Sequence, residues 1–445
     1  MSGVDPWRFV RPVRHSLEEV YATIPIPVGA WWRRMLAFAG PGFLVAVGYM
    51  DPGNWATDIA GGAAFNYALL SVILVANFVA VFLQAMAARL GLVTGRDLAQ
   101  ACRETYSRPV AIFLWLWAEV GIVACDVAEV LGAAIALLLL FHIPLLTGVV
   151  LTGLDVLIVL ALQNRGFRVI EAIVITLIAI IVVLFGVELF FARPEWAAVW
   201  RGFLPHQQLV TNPTMLYIGL GIVGATVMPH NLFLHSSIVQ TRKIGRTDAD
   251  LRSAIRFALA DSAIALTIAL CVNAAILIVA AAAFFRSGHH EIADIQGAYR
   301  MISPVLGVAL AAPIFGVALL ASGQDSTLTG TLAGQVVLEG FMQLRIPPWQ
   351  RRLISRGLAI VPAVLVIAWA GPNATGGLMI FSQVVLSAAL IFAVVPLVTI
   401  TGDRKRMGNF VNTRANTIAG WLMAAALAVT NVWLAVTTLL PMLRH

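Results

Sequence analysis

A carboxylate, a helix-breaking proline, a glycine and an amide stand in a row at Asp51-Pro52-Gly53-Asn54, inside the apolar run 38–64. A run of that length reads as a membrane-crossing helix, because about 20 apolar residues span the hydrocarbon core. A charge at the bilayer centre costs roughly 3 kcal/mol or more on insertion scales. Pro52 has no N–H, so the carbonyl of Gly48, four residues back, loses its helical donor. Broken backbone at membrane depth is tolerated where protein buries it or where it lines a cavity. The segment therefore reads as a helix broken around a site.

The same frame returns 177 residues further on, where Met228-Pro229-His230-Asn231 interrupts the apolar run 216–238. Gly-rich apolar sequence precedes both breaks, Gly40-Pro41-Gly42 in one and Gly219-Leu220-Gly221 in the other. Paired interrupted helices in two halves of a chain point to the binding site of a secondary transporter. Two unrelated proline kinks are the plainer reading, but they leave the polar residues beside both prolines unexplained.

Composition agrees with a membrane protein. Of the 445 residues 60% are hydrophobic and 11% charged, and the mean hydropathy is +0.90, which no soluble domain of this length matches. Three cysteines, Cys102, Cys125 and Cys271, make no disulfide framework. The formal charge of +7 lies in loops and is no sign of nucleic-acid binding. Residues 1–37 carry arginines and prolines and no signal-peptide core. They read as a cytoplasmic tail whose Trp31 and Trp32 anchor at the interface.

Counting apolar runs predicts an all-α fold with eleven spans, near 38–64, 66–92, 110–140, 144–163, 169–191, 213–240, 253–285, 302–342, 353–371, 376–400 and 415–441. The eighth run is too long for one simple crossing. With the N-terminus inside, 24 of the 29 Lys and Arg residues fall on the inner side. That bias puts the N-terminus in the cytoplasm and the C-terminus outside. Spans 1–5 (residues 38–192) and 6–10 (residues 213–402) then form five-helix repeats of opposite orientation, and residues 413–445 hold an extra eleventh span. The outer loop with His289, His290, Glu291 and Asp294 could recruit cations, although a solvated loop is the simpler account.

The two breaks together offer the hard oxygens of Asp51 and Asn54, the carbonyl of Ala225 freed by Pro229, and the soft thioether of Met228. Oxygen ligands suit Mg²⁺, Ca²⁺ and Mn²⁺, while a thioether shifts preference toward softer metals. The set therefore favours transition divalents over alkaline-earth ions. His230 could relay protons near such a site, and Gln383 in the tenth span could reach it. His235 fits a structural histidine equally well. In the third span Glu119, Asp126 and Glu129 share a helix face. Intramembrane acids mark ion paths or proton relays. Arg351 and Arg352 at the start of the ninth span are their candidate partners, and static ion pairs remain the alternative.

Three stretches resemble the Nramp family of proton-coupled divalent-metal transporters: Gly48-Tyr49-Met50-Asp51-Pro52-Gly53-Asn54, Asp126-Val127-Ala128-Glu129-Val130-Leu131-Gly132 and Gly224-Ala225-Thr226-Val227-Met228-Pro229-His230-Asn231. Ser322-Gly323-Gln324 and Gly330-Thr331-Leu332-Ala333-Gly334-Gln335 are also similar to the family. The resemblance implies a LeuT-like inverted-repeat fold in the cell membrane. It implies uptake of Mn²⁺ or Fe²⁺ with protons, with no resident cofactor and a functional monomer. Asp51, Asn54, the Ala225 carbonyl and Met228 would ligate the metal, with Gln383 joining in some conformations. Protons would pass from Asp51 and His230 through Glu129 and Asp126 toward Arg352, with Glu119 near Arg351. Asp325 departs from the pattern, since a neutral residue is expected there; a solvated charge and an altered exit path are both open. A divalent uniporter or channel, and an ion-coupled carrier of an organic substrate, are the competing functions. No Ser/Cys–His–acid set, phosphate loop or zinc motif supports an enzyme.

Overall fold

The computed structural model describes residues 15–27, 29–155, 157, 161, 165–290 and 294–442. Its principal helices are α1 (Trp31–Phe38), α2 (Pro41–Val47), α3 (Pro52–Phe65), α4 (Leu70–Thr94), α5 (Leu98–Thr105), α6 (Arg108–Phe141) and α7 (Leu145–Leu151). They continue as α8 (Phe167–Ala192), α9 (Pro213–Thr226), α10 (Pro229–Ile238), α11 (Asp248–Ala280), α12 (Ile295–Leu306), α13 (Ala311–Met342), α14 (Pro348–Ala370), α15 (Thr375–Thr401) and α16 (Arg414–Met442). Among the described residues eight helical stretches are long and apolar enough to cross a membrane. The protein is a polytopic α-helical membrane protein.

Four of the expected eleven runs differ from one uninterrupted helix. The first is cut by Pro52 into α2, a 3₁₀ turn over Gly48–Met50, and α3. The fourth holds α7 and a 3₁₀ turn over Thr152–Asp155, and its remainder lies largely outside the described residues. The eighth divides at Gly307, whose φ of +68° ends α12 before α13 begins. The sixth is broken as the sequence indicates: α9 ends at Thr226, and Met228 turns the chain into α10 with Pro229 at its first position.

The paired breaks lie at the centre of the helix bundle, where α3, α6, α9, α13 and α15 pack around them. Close approach there depends on residues without side chains. A Cβ on Gly224 would stand 2.0 Å from the Gln383 carbonyl oxygen and 2.6 Å from the Ser387 nitrogen. Gly224→Ala is therefore expected to push α15 from α9, at an overpacking cost of about 1–3 kcal/mol. Thermal unfolding in detergent measures this, and an unchanged midpoint would refute the packing argument.

At one end of the bundle the chain between α1 and α2 is clasped. Gly40 adopts φ +144°, and its α-carbon lies against the Glu171 carboxylate. Arg242 pairs with Glu171 at 2.6 Å and donates to the carbonyls of Ala37, Phe38 and Ala39. Asp261 accepts from the backbone N–H of Gly42 at 2.6 Å, at the positive end of α2. The N-terminal segment packs on the same end, where Ile24–Pro25 (β1) pairs in parallel with Arg242–Lys243 (β2). Ile24 is buried at this contact, whereas Trp31 and Trp32 are exposed.

Candidate metal and proton site

Asp51 is the N-cap of α3. Its backbone is extended, Pro52 fills the first helical position, and Oδ1 accepts from the Asn54 N–H at 2.8 Å. Asp and Asn are strong N-caps, and a carboxylate there also meets the positive end of the helix. Local chemistry therefore sets the direction of the Asp51 side chain as well as the break.

The Asn54 amide nitrogen is the meeting point of the two breaks. It donates toward Asp51 Oδ1 at 2.7 Å, the Gly48 carbonyl at 3.2 Å and the Ala225 carbonyl at 3.1 Å. Gly48 and Ala225 are the residues whose carbonyls lose their helical donors to Pro52 and Pro229. Both belong to the C-terminal ends of their helical segments, where the dipole is negative. Two negative helix ends and one carboxylate thus face a single NH₂ group, which has two hydrogens for three acceptors. On the other side of the amide, Asn54 Oδ1 accepts from Asn273 Nδ2 at 3.2 Å, and Asn273 also donates to the Tyr49 carbonyl at 2.7 Å. Asp51, Asn54 and Asn273 are all buried.

Met228 is fully buried in a small cluster with Ala124, Cys125 and Leu386. Its Sδ would stand 3.1 Å from a Cβ on Gly48, so the sulfur closely approaches the first break. The Gln383 amide lies against Gly53, and its Oε1 has no hydrogen-bond partner among the described residues. His230 is buried in the first turn of α10, and its Nδ1 likewise has none. His235 differs. Its Nδ1 meets Gln84 Oε1 at 3.0 Å and its Nε2 meets Ser262 Oγ at 3.3 Å, while Gln84 donates to the Tyr49 hydroxyl at 3.0 Å. That chain ties four helical segments together.

The acids of α6 are all paired from α14. Arg351 bonds Glu119 at 2.6 Å, and Arg352 bonds Asp126 at 2.6 Å and Glu129 at 2.9 Å. Two members of this network escape the sequence reading. Asp155 accepts from Arg352 at 3.2 Å and from Arg356 Nε at 2.7 Å. Arg356 also lies 3.3 Å from Glu129 and donates to Thr327 Oγ1 at 2.7 Å. The signal was present: a carboxylate inside the apolar run 144–163, and an arginine one turn beyond Arg352 on the same helix face. The Cys125 thiol sits between the two groups, 3.8 Å from Asp51 Oδ2 and 3.7 Å from Glu129 Oε1. Gly330 lets α13 approach the network, since a Cβ there would stand 3.3 Å from Glu129 Oε1.

Asp325 is 1% exposed, which removes the solvated-charge alternative. In the loop after α11 His289 bonds Ser287 and His290 packs on Phe285, and Glu291 lies outside the described residues.

Residues 42–437 match the family described as natural resistance-associated macrophage protein-like, Nramp. A divalent metal cation transporter MntH of Bradyrhizobium diazoefficiens is 55% identical over 435 residues, covering 98% of this chain and 97% of that protein. A protein of the same name from Listeria monocytogenes is 56% identical over 425 residues, 95% of each chain. The crystal structure of a manganese transporter from Eremococcus coleocola aligns with a TM-score of 0.87 at 44% identity, covering 94% of this chain and 90% of that one. Mhp1, a nucleobase-cation-symport-1 family transporter, shares the fold at a TM-score of 0.60 and 17% identity. The chain belongs to the Nramp family of transporters.

Proposed function

We propose that this chain imports divalent transition-metal ions, Mn²⁺ and Fe²⁺ among them, together with protons, by alternating access. The observation that carries the reading is the convergence of Asp51 Oδ1 and the Gly48 and Ala225 carbonyls on one point between two broken helices, with the Met228 thioether at the first break. That point suits a cation. Half a turn of the Asn54 amide exchanges its NH₂ for its oxygen and releases the Asn273 bond. The metal ligands are then Asp51, Asn54, the Ala225 carbonyl and Met228, with Gln383 joining as α15 moves. The thioether disfavours Mg²⁺, which demands octahedral oxygen and dehydrates reluctantly.

Protons follow the acids. Asp51 and His230 stand at the central end of the path, Cys125 separates Asp51 from Glu129, and Arg352 joins Glu129 to Asp126. Glu119 and Arg351 continue the line along α6 and α14. The architecture that supports alternating access is eleven spans, with inverted repeats over residues 38–192 and 213–402 and an eleventh span after them. The arginine distribution supports a cytoplasmic N-terminus and an outer C-terminus in the cell membrane, and the unit that works is the monomer.

An inward potential is worth about 2.3 kcal/mol per charge per 100 mV, so a divalent ion gains about 4.6 kcal/mol. At 1.4 kcal/mol per decade that supports roughly a thousandfold gradient. Proton coupling extends this reach.

The test is Mn²⁺ uptake into proteoliposomes that carry an internal pH dye, with excess external Ca²⁺ or Mg²⁺. Wild type is expected to acidify the lumen as it takes up Mn²⁺. Met228→Ala is expected to take up Mn²⁺ but to become sensitive to Ca²⁺ and Mg²⁺ by about tenfold, since one ligand preference is worth about 1.4 kcal/mol. Uptake without acidification would identify a uniporter, and no divalent uptake would return the organic-substrate reading.

A further inference from the structure

Asp325 is a buried carboxylate that the proposed transport path does not yet use. Neither of its oxygens has a hydrogen bond or ion pair to a described residue, and the Oγ of the adjacent Ser326, also 1% exposed, has none. The acids of α6 and Asp155 are each held by an arginine; none is paired with Asp325. Its position on α13 is specific. One turn away, Ser322 Oγ donates to the Met50 carbonyl at 2.6 Å, the residue just before the first break. In the other direction Leu328, Leu332, Gln335 and Glu339 follow on the same stripe of the helix. Those four line a cavity of about 150 Å³ whose opposite wall is Phe167 and Ile170 of α8. Such a volume holds roughly five waters at about 30 Å³ each. The N-terminal segment covers this cavity: the Leu17 N–H donates to Glu339 Oε2 at 3.1 Å, and Arg345 pairs with Glu18 at 2.6 Å.

A carboxylate buried without a counter-charge is costly, and a bound cation supplies the missing charge. Ionisable groups inside a membrane mark ion paths. Asp325 offers two hard oxygen donors, which suit a divalent ion that retains part of its water. We infer that Asp325 is a second, transient site for the transported divalent cation, between the central site and the α8–α13 cavity through which the ion leaves. The inference rests on the importer reading above, which makes the covered end of the bundle the cytoplasmic one.

The experiment is Mn²⁺ titration followed by electron paramagnetic resonance, on the full chain in nanodiscs, paired with uptake kinetics. Asp51→Asn is expected to retain a weak Mn²⁺ site that disappears when Asp325→Asn is added. Asp325→Asn alone is expected to keep the apparent KM for external Mn²⁺ within about twofold, while turnover falls about tenfold because release becomes slow. Asp325→Glu is expected to restore turnover, which a purely structural role would not require. Asp325→Ser gives the same readouts if the asparagine variant does not fold. The inference is overturned if the double variant binds as much Mn²⁺ as Asp51→Asn, or if Asp325→Asn turns over like wild type. Absence of Mn²⁺ binding to wild type would overturn the importer reading itself, so the two failures are distinguishable.

Discussion

Asp51→Asn is expected to lower metal uptake at least a hundredfold while leaving the fold intact. Asparagine has the same shape and is as good an N-cap as aspartate, so the hydrogen bond to the Asn54 N–H, 2.8 Å in the wild type, survives. Stability should therefore change by no more than about 1 kcal/mol. What is removed is the one formal charge among the oxygens at the breaks. Unit charges 4 Å apart interact by about 4 kcal/mol at an effective dielectric of 20, and a divalent ion doubles that figure. Retaining even a third of this effect corresponds to about a hundredfold in affinity. Calorimetric titration with Mn²⁺, initial uptake rates and the thermal midpoint should be measured on one preparation. An unchanged midpoint with uptake within tenfold of wild type would remove Asp51 from the metal site.

The two breaks were legible in the sequence because their cause is local. Proline withdraws an N–H wherever it stands in a helix, and a carboxylate or thioether beside it in an apolar run has few other uses. The pairing of Glu119 with Arg351 and of Asp126 with Arg352 was legible for a similar reason: charges in a membrane seek charges, and few were on offer. Asp155 and Arg356 were missed because each looked like something else. Asp155 stood as one polar residue in an apolar run, and Arg356 counted toward topology as an inner-side arginine. Only the packing of α7 against α6 and α14 brings them together.

Other features depend on tertiary contacts and have no linear signature. No periodicity reveals that Asn54 spans both freed carbonyls while Asn273 holds its oxygen. The same is true of the N-terminal segment. Residues 15–25 have the composition of a loose tail, yet Ile24–Pro25 pairs with Arg242–Lys243 and Leu17 reaches Glu339. Asp325 shows both sides of the matter. Its oddity was readable from the resemblance, but its burial without a partner needed the three-dimensional arrangement of α13.

Arg352→Ala is expected to be the most destabilising single change in the network. The wild type sets two guanidinium groups, Arg352 and Arg356, against three buried carboxylates, Asp126, Glu129 and Asp155. Removing one partner of a buried pair costs about 3–5 kcal/mol, because the remaining charge stays buried. Here three carboxylates would face Arg356 alone. With a total stability of about 5–15 kcal/mol to draw on, the variant should express poorly and unfold at a clearly lower temperature. Arg352→Lys should recover only part of the loss, because an ammonium lacks the planar fork that now reaches three carboxylates. Neutralising a carboxylate tests the explanation. In Arg352→Met/Asp126→Leu the charge balance returns, and an apolar replacement of a buried pair is often neutral for stability. The double variant should therefore fold nearly as well as wild type. Its Mn²⁺ uptake should nevertheless proceed without acidifying the lumen, since the link from Glu129 onward is gone. If Arg352→Ala unfolds at the wild-type temperature, the network is not holding α6 and α14 together. If the double variant still acidifies the lumen, protons take another route.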